Sequence, residues 1–311
     1  MILRQATFAM GTRFELVLAG EDGVRLRAAG EAALEEIEEQ DRLLSLFHRS
    51  SLLARINRTA HATPVRLDAD TFELFATALA VERDAGGAFD VTVAWRMRKE
   101  GFHPGSQLGP PPRAGAPRGR IALDPAARTV SFTTPGVAVD LGGIAKGHAL
   151  DLAARALRAA GIRTALLHGG TSAAVAIGAP PGAPGWRVAL PGRGAPVVVL
   201  RDAALSVSAA RGRTRSDGAG HVLDPRTGGF APTDLTTAVH APSARLADAW
   251  STALLAGARP ATLDPAATAA LGRAGAWTVA GASPVAFVLP PPREPALAIS
   301  ISCPPPTAGP S

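Results

Sequence analysis

The DLGGIAKG segment at residues 140–147 places three glycines and a lysine between two apolar segments. The valine-rich run at residues 137–139 predicts a strand before it, and the helical spacing of apolar side chains at residues 150–157 predicts a helix that ends at Gly161. Free N–H groups at such a helix start favour a phosphate. The spacing matches neither the dinucleotide fingerprint nor the P-loop. A tight turn with a surface Lys146 is the alternative explanation.

The other periodicities predict interspersed helices and strands without an internal repeat. Helices are predicted where Leu26, Ala29, Ala33, Ile37 and Leu44 recur, from a cap near Asp70, from about Ser243 to Gly257, and from Asp264-Pro265. Strands are predicted at residues 14–18, 164–167, 173–177, 186–190, 197–200 and 204–208, and near Trp277 and Phe287. This mixture predicts an α+β, or mixed α/β, fold.

Two further parts of the chain are rich in proline, and the first of them is also rich in glycine. Residues 101–120 hold too much of both for regular structure, so we interpret them as an exposed loop within the domain. A proline-rich segment closes the sequence. We therefore expect one domain over residues 1–290 and a proline-rich tail over residues 291–311.

Composition excludes several classes of protein. The 311 residues are 47% hydrophobic, which is enough to bury a large core. No apolar run approaches the ~20 residues of a membrane span, and the start of the chain lacks the pattern of a signal peptide, so we expect a cytoplasmic protein. Cys303 is the only cysteine, which rules out an internal disulfide and a thiolate metal cluster. Any metal must therefore bind oxygen or imidazole.

The formal net charge of +6 raises the question of nucleic-acid binding. The arginines are scattered along the chain instead of clustered, and lysine is nearly absent. This pattern reflects a compositional bias better than a binding stripe. We expect no nucleic-acid partner, although the surface would tolerate anionic ligands.

Asp248 and Thr252 stand four residues apart in the sequence ADAWST. This spacing puts a carboxylate and a hydroxyl on the same face of one helix. Two hard oxygen ligands side by side suit Mg²⁺, which completes its shell with waters, carbonyls and substrate phosphates. A solvated helix face or a cap explains the same two residues without a metal.

The sequence HVLDPRTG, from His221 to Gly228, combines a histidine, a carboxylate and a turn. A histidine can accept a proton from an attacking hydroxyl near neutral pH, which would be the role of His221. The alternative is that DPRTG is a β-turn and His221 a strand residue with its hydrogen bonds satisfied.

In the order of its motifs along the chain, the sequence resembles the ApbE family of FAD:protein FMN transferases over about residues 8–290. The sequences that carry the resemblance are MGT (residues 10–12), LSLFHRSSLLARIN (44–57), GGAFDVT (86–92), DLGGIAKGHALD (140–151), HGG (168–170), HVLDPRTG (221–228) and ADAWST (247–252). The family resemblance implies a two-lobed single-chain fold with FAD in the cleft between the lobes.

The resemblance also implies the roles of individual residues. A Mg²⁺ ion would be held by Asp248, Thr252 and the carbonyl of Ala145, with the FAD pyrophosphate beside the glycine turn, and His221 would activate the acceptor hydroxyl. The residues that would bind FAD or shape its pocket are Met10, Phe47, Asp90, Asp140, Gly143, Lys146, Asp151, His221, Asp224 and Thr227. His221 and Asp248 would be the catalytic residues.

Three segments depart from the family pattern. Thr171-Ser172 stands where the family usually has an acidic residue, and Val207-Ser208-Ala209 stands in place of Thr-Ser-Gly. Residues 210–220 are rich in Arg, Gly and Ser where the family often has an aromatic residue. The resemblance implies Mg²⁺-dependent transfer of FMN from FAD to a Thr or Ser hydroxyl of an acceptor flavoprotein, with release of AMP. Two alternatives stay open: an FAD pyrophosphatase that gives FMN and AMP, and a non-catalytic FAD-binding protein.

Overall fold

The structure, a computed structural model, describes residues 1–114, 119–190, 197–210, 220–233, 235–258 and 276–280. The helices in these ranges are α1 Gly23–Leu44, α2 Leu52–Thr59, α3 Ala69–Asp84, α4 Ala94–Lys99, α5 Ala145–Ala159 and α6 Ala244–Leu255. The strands are β1 Ile2–Ala9, β2 Thr12–Ala19, β3 Val65–Arg66, β4 Ile121–Asp124, β5 Thr129–Phe132, β6 Ala165–Gly169, β7 Ala173–Ile177, β8 Trp186–Ala189, β9 Val197–Leu200, β10 Ala204–Ala209, β11 Leu235–Ala241 and β12 Ala276–Ala280.

The main sheet has seven strands in the order β1-β2-β6-β7-β10-β11-β12, and all neighbouring pairs are antiparallel. One face packs against α1 and α5 through apolar side chains of β2, β6 and β7, and α6 lies against β10 and β11. The opposite face packs against the β8–β9 hairpin. Helices on one face of an antiparallel sheet define an α+β fold, which confirms the predicted fold class.

A second core lies beside the sheet. It is built from α2, α3 and the three-stranded sheet β3-β5-β4. Helix α6 contributes Trp250 and Leu254 to this core, while Ala244 at its first turn belongs to the core under the main sheet. The described chain therefore has two halves, and α6 packs into both of them.

Local signals place most of the helices where the sequence predicts them. The predicted inward residues of α1 are all buried, and Asp22 caps its start by accepting hydrogen bonds from the N–H groups of Val24 and Arg25. Helix α3 is capped by Asp68 and not by Asp70. The reason is that Asp68 accepts from the Thr71 N–H at 2.8 Å, whereas Asp70 pairs with Arg155 of α5.

The predicted strand at residues 137–139 is wrong, although these residues are buried. The amide side chain of Asn57, at the end of α2, takes the place of a neighbouring strand. It accepts the Val139 N–H at 2.7 Å and donates to the Val139 carbonyl at 3.0 Å. One buried side chain thus satisfies the backbone that a sheet ladder would otherwise pair.

Other predictions are corrected or lie outside the described residues. Residues 101–120 are irregular where described, but they are not exposed throughout, because His103 and Ser106 are buried. The strand near Trp277 is confirmed as β12, whereas the periodicities do not predict β1 and β11. The predicted helix at Asp264-Pro265, the predicted strand near Phe287 and the tail at residues 291–311 lie outside the described residues.

A buried histidine sits where α3, α5 and α6 meet. His148 of α5 is fully buried, and its Nδ1 atom lies 3.5 Å from the Arg245 guanidinium. Burial and the positive charge of Arg245 lower the pKa of His148 to about 4, while Asp70 and Asp68 oppose the shift. The ring is therefore neutral in the folded protein at neutral pH.

We predict that stability falls as the pH drops from about 6.5 towards 4. The unfolded chain protonates this histidine near pH 6.5 and the folded chain does not, so unfolding takes up a proton in this window. The His148 contribution to the free energy of unfolding should fall by about 2 kcal/mol between pH 7 and pH 5. Urea unfolding at the two pH values measures it.

The matched variants for this test are His148→Gln and His48→Gln. His148→Gln should flatten the pH dependence, because the titrating group is gone. His48 is exposed, so His48→Gln should keep the wild-type pH dependence. Equal pH dependence in wild type and His148→Gln would contradict the assignment.

Candidate functional site

The glycine turn at residues 140–147 ends at the start of α5, as predicted. Asp140 accepts the Gly142 N–H through Oδ1 at 2.8 Å, which fixes the turn locally. Lys146 folds back, so that its Nζ atom donates to the Gly142 carbonyl at 3.2 Å. Helix α5 has no side-chain cap from its own N-cap residue, Ile144.

Asp248 of α6 lies against this helix start. Its side chain is only 3% exposed, and its Oδ2 atom accepts the Gly147 N–H at 3.1 Å. The same oxygen lies 4.0 Å from Lys146 Nζ, and the other oxygen accepts from the Ser206 hydroxyl at 3.3 Å. The structure therefore brings the glycine turn and the ADAWST helix together, although about a hundred residues separate them in sequence.

Hydroxyl groups extend the polar cluster from Asp248 along α6. Ser251 Oγ lies 3.1 Å from Ser206 Oγ and 2.8 Å from Ser208 Oγ. Ser208 Oγ lies 3.4 Å from Thr252 Oγ1, which donates to the Gly143 carbonyl at 3.3 Å. Both serines of β10 thus join the cluster, even though the surrounding Val207-Ser208-Ala209 departs from the family pattern.

The donor set of this cluster fits a hard divalent cation. Carboxylate, hydroxyl and main-chain carbonyl oxygens meet within hydrogen-bonding distance of one another, and such oxygens suit Mg²⁺. Each oxygen of Asp248 receives one hydrogen bond and keeps lone-pair capacity for a metal. Within the described residues no group of three His, Cys, Asp or Glu side chains could hold a metal. Besides the Asp248 carboxylate, any Mg²⁺ here would therefore depend on neutral protein oxygens and on ligand phosphates.

Ala145 is the first residue of α5 and is buried next to Lys146. Its predicted role as a carbonyl ligand stays a prediction. Gly143 has a structural reason to be glycine, because a Cβ there would lie 3.0 Å from Thr252 Cγ2 and 3.2 Å from Phe89. A larger residue at this position would require Thr252 and Phe89 to shift.

Asp151, predicted to shape the pocket, lies at the other end of the contact between α5 and α6. Its carboxylate accepts the Ser243 hydroxyl at 2.7 Å and the N–H groups of Ala244 and Arg245 at 2.8 and 3.0 Å. These are free N–H groups of the first turn of α6. Asp151 thus fixes the start of the helix that carries Asp248.

The DPRTG segment forms a turn, as predicted, and His221 does not lie in a strand. Asp224 Oδ1 accepts from both the backbone N–H and Nε of Arg226 at 2.9 Å, and Thr227 Oγ1 accepts the Gly229 N–H at 3.1 Å. Burial raises the pKa of Asp224, but the hydrogen bonds and charge of Arg226 outweigh it, so the net shift is downward. Arg226 also donates to the Gly257 carbonyl at 3.0 Å, which ties the turn to the end of α6.

His221 is half-buried just before this turn. The preceding Gly220 packs against the end of β10, since a Cβ there would lie 2.8 Å from Ala210 Cβ. The following Val222 packs in a cluster with Ala210 and with Leu255 of α6. The segment with His221 is thereby held between β10 and α6, the two elements that supply the hydroxyl cluster.

Two other predicted residues occupy turns next to the site. Met10 has a positive φ of 49° and, with Gly11, makes the two-residue turn of the β1–β2 hairpin. Met10 packs against both cores. Asp90 is buried and caps the short turn Val91–Val93, whose Val91 carbonyl accepts the Asp140 N–H at 2.7 Å.

The sequence interpretation missed His103. Its Nε2 atom lies 2.7 Å from Asp140 Oδ2, and its ring meets the edge of Phe47 at a centroid distance of 6.1 Å. Phe47 itself is 51% exposed, which suits the predicted aromatic near a flat ligand. A lone histidine inside a Gly- and Pro-rich segment gives no periodic signal. Only its distance to Asp140 reveals it.

The sequence is similar to that of a known protein family. The ApbE family model matches residues 10–270. An FAD:protein FMN transferase of Klebsiella pneumoniae (strain 342) is 27% identical over 266 residues, 79% of this chain and 76% of the relative. One from Treponema pallidum (strain Nichols) is 31% identical over 285 residues, 78% of this chain and 77% of the relative.

Solved structures agree on the fold. The apbe protein of Thermotoga maritima has a TM-score of 0.74 at 26% identity, and covers 90% of this chain and 94% of its own. The flavin transferase ApbE of Vibrio cholerae gives a TM-score of 0.71 at 20% identity and likewise supports the fold. Together with these relatives, the fold identifies an enzyme of the transferase class. The chain belongs to the ApbE family.

Substitution of Asp151 tests its structural role. Asp151→Ala removes the acceptor for two backbone N–H groups at the start of α6, and should lower the free energy of unfolding by about 1–2 kcal/mol in urea. Glu31→Ala, at an exposed position of α1, is the control and should change it by less than about 0.5 kcal/mol. Equal stability of the two variants would show that Asp151 does not hold α6.

Proposed function

We propose that this protein transfers the FMN moiety of FAD to a Thr or Ser hydroxyl of an acceptor flavoprotein, in a Mg²⁺-dependent reaction that releases AMP. The observation that carries the proposal is the contact between the start of α5 and Asp248, with Lys146 at 4.0 Å from the carboxylate. The relatives named FAD:protein FMN transferase support the same activity.

Charge and hydrogen-bond capacity support a diphosphate ligand at this place. Lys146 supplies a positive charge beside a helix start whose dipole also favours anions. The glycine turn lets ligand oxygens approach the backbone without a Cβ in the way. Asp248 and Thr252, with the Ala145 carbonyl, would hold the Mg²⁺. When bound, the ion would supply Lewis-acid stabilisation of charge on the phosphate oxygens.

The transfer forms a bond between the acceptor oxygen and the FMN phosphorus, and breaks the bond from that phosphorus to the bridging oxygen of the pyrophosphate. AMP leaves with the bridging oxygen and its electron pair. We assign His221 as the base that takes the proton of the attacking hydroxyl. The predicted pocket residues would orient FAD, either directly or through the turns in which they lie. These residues are Met10, Phe47, Asp90, Asp140, Gly143, Asp224 and Thr227.

Water in place of the acceptor hydroxyl would make the same site an FAD pyrophosphatase. A folded site without chemistry would make the chain an FAD-binding protein. Purified protein incubated with FAD, with and without Mg²⁺ and an acceptor flavoprotein, separates the three. AMP with an FMN-labelled acceptor indicates transfer, AMP with free FMN indicates hydrolysis, and intact bound FAD indicates binding alone.

No helix among the described residues is long and apolar enough to cross a membrane. The acceptor is proposed to be a flavoprotein with an accessible Thr or Ser. The cytoplasmic location also stays a prediction.

Asp248→Asn tests the metal assignment. The amide keeps an oxygen for the Gly147 N–H but removes the negative charge that would bind Mg²⁺. We expect the Mg²⁺ concentration for half-maximal AMP release to rise at least about tenfold. FAD affinity without Mg²⁺, read from flavin fluorescence, should change by less than about threefold. Wild-type Mg²⁺ dependence in this variant would refute the assignment.

His221→Ala tests the base. The turnover rate at saturating FAD should fall by about 10²–10⁴-fold, the usual contribution of a general base. FAD affinity should change little, because the proton transfer occurs only in the reaction step. His61→Gln, which lies outside the candidate site, serves as the control and should transfer FMN at the wild-type rate. A His221→Ala variant as fast as the control would remove His221 from the mechanism.

A further inference from the structure

Residues 101–108, which we call the strap, run between two parts of the candidate site. On one side the Phe102 ring lies 5.7 Å from the Phe230 ring, next to the DPRTG turn. On the other side the His103 ring reaches Asp140 in the glycine turn. Farther along, the Gln107 N–H donates to the Leu46 carbonyl at 2.7 Å, beside Phe47. The strap therefore touches two of the family-like segments, and also Phe230, which follows a third.

The link between His103 and Asp140 is specific in its geometry. An ionised carboxylate can only accept hydrogen bonds, so His103 Nε2 carries the proton and donates to Asp140 Oδ2 at 2.7 Å. The other carboxylate oxygen accepts the Gly142 N–H at 2.8 Å. Asp140 thus joins the strap to the backbone of the glycine turn through its two oxygens.

Within the part of the chain that the structure describes, the second ring nitrogen of His103, Nδ1, gains no hydrogen bond from the position that the ring occupies. His103 is 8% exposed, and its Nδ1 atom is buried without a hydrogen-bond partner among the described residues. A buried polar atom without a partner is unfavourable. The Asp140 hydrogen bond and the Phe47 edge contact are the interactions that offset this cost.

We infer that His103 is a positioning residue for FAD binding: it fastens the strap to Asp140, and so holds the glycine turn and Phe47 in the arrangement that accepts FAD. The inference rests on the proposed function, since it names FAD as the ligand. His103 does not itself touch the reacting atoms. Its loss should weaken binding more than it slows the reaction step.

Three variants of His103 separate positioning from bulk. His103→Gln keeps an N–H donor at about the reach of Nε2, His103→Asn is polar but too short, and His103→Leu fills the space without a donor. We expect Asn and Leu to raise the Kd for FAD about tenfold, by flavin fluorescence, with turnover at saturating FAD within about threefold of wild type. Gln should restore the Kd to within about threefold of wild type.

Limited trypsin digestion gives a readout that needs no FAD. Lys99, just before the strap, is exposed. A strap released from Asp140 should let the backbone around Lys99 open locally more often, so that cleavage after Lys99 is several-fold faster in the Asn and Leu variants than in wild type and the Gln variant. Thermal unfolding, compared with a His61→Leu control, identifies a variant that is globally unfolded. If His103→Leu is unfolded, the comparison of His103→Gln with His103→Asn still tests the hydrogen bond to Asp140.

Opposite outcomes overturn the inference. If wild-type protein binds FAD and the Asn and Leu variants bind it equally well, the proposed function stands and the positioning role of His103 is wrong. If Gln is as defective as Leu, the donor to Asp140 is not what matters, and the inference is equally wrong. If wild-type protein does not bind FAD, the proposed function fails first, and the FAD role of the strap fails with it.

Discussion

The close approach of α5 to the start of α6 is the constraint on which the site depends. Gly147 makes it feasible, because a Cβ at this position would fall 2.2 Å from the Ala244 carbonyl oxygen. With no side chain between them, the Gly147 N–H reaches Asp248, and Asp151 reaches the first N–H groups of α6. Any larger residue would push the helices apart. Glycine is therefore required here by helix packing, independently of any ligand.

Helix α6 organises the rest of the site along its length. Asp151 holds its first turn, Asp248 and Thr252 face the glycine turn from its middle, and Arg226 binds the Gly257 carbonyl just past its end. The segments that resemble the ApbE family are far apart in sequence, and this helix is where several of them meet. A small displacement of α6 would change all of these contacts together.

Sequence patterns were informative where the physical cause is local. The spacing of apolar residues predicts α1 and α5, since it reports which face of a helix is buried. The same reasoning failed at residues 137–139, because the partner of Val139 is the side chain of Asn57 and not a strand. The segments that form the candidate site are identified by the family resemblance. The Asp151 cap and the His103 contact depend on distances that no spacing encodes.

The position of β2 in the main sheet has a consequence for how the chain is made. One neighbour, β1, is adjacent in sequence, but the other is β6, where Phe14 lies opposite Gly169. During synthesis, β2 therefore cannot pair with its second neighbour until β6 has been synthesised. Long-range pairings of this kind close late. Helices α2 and α3 and the small sheet lie in the intervening sequence, but their core also contains Trp250 and Leu254 of α6. Neither half of the protein is therefore complete until α6 has been synthesised.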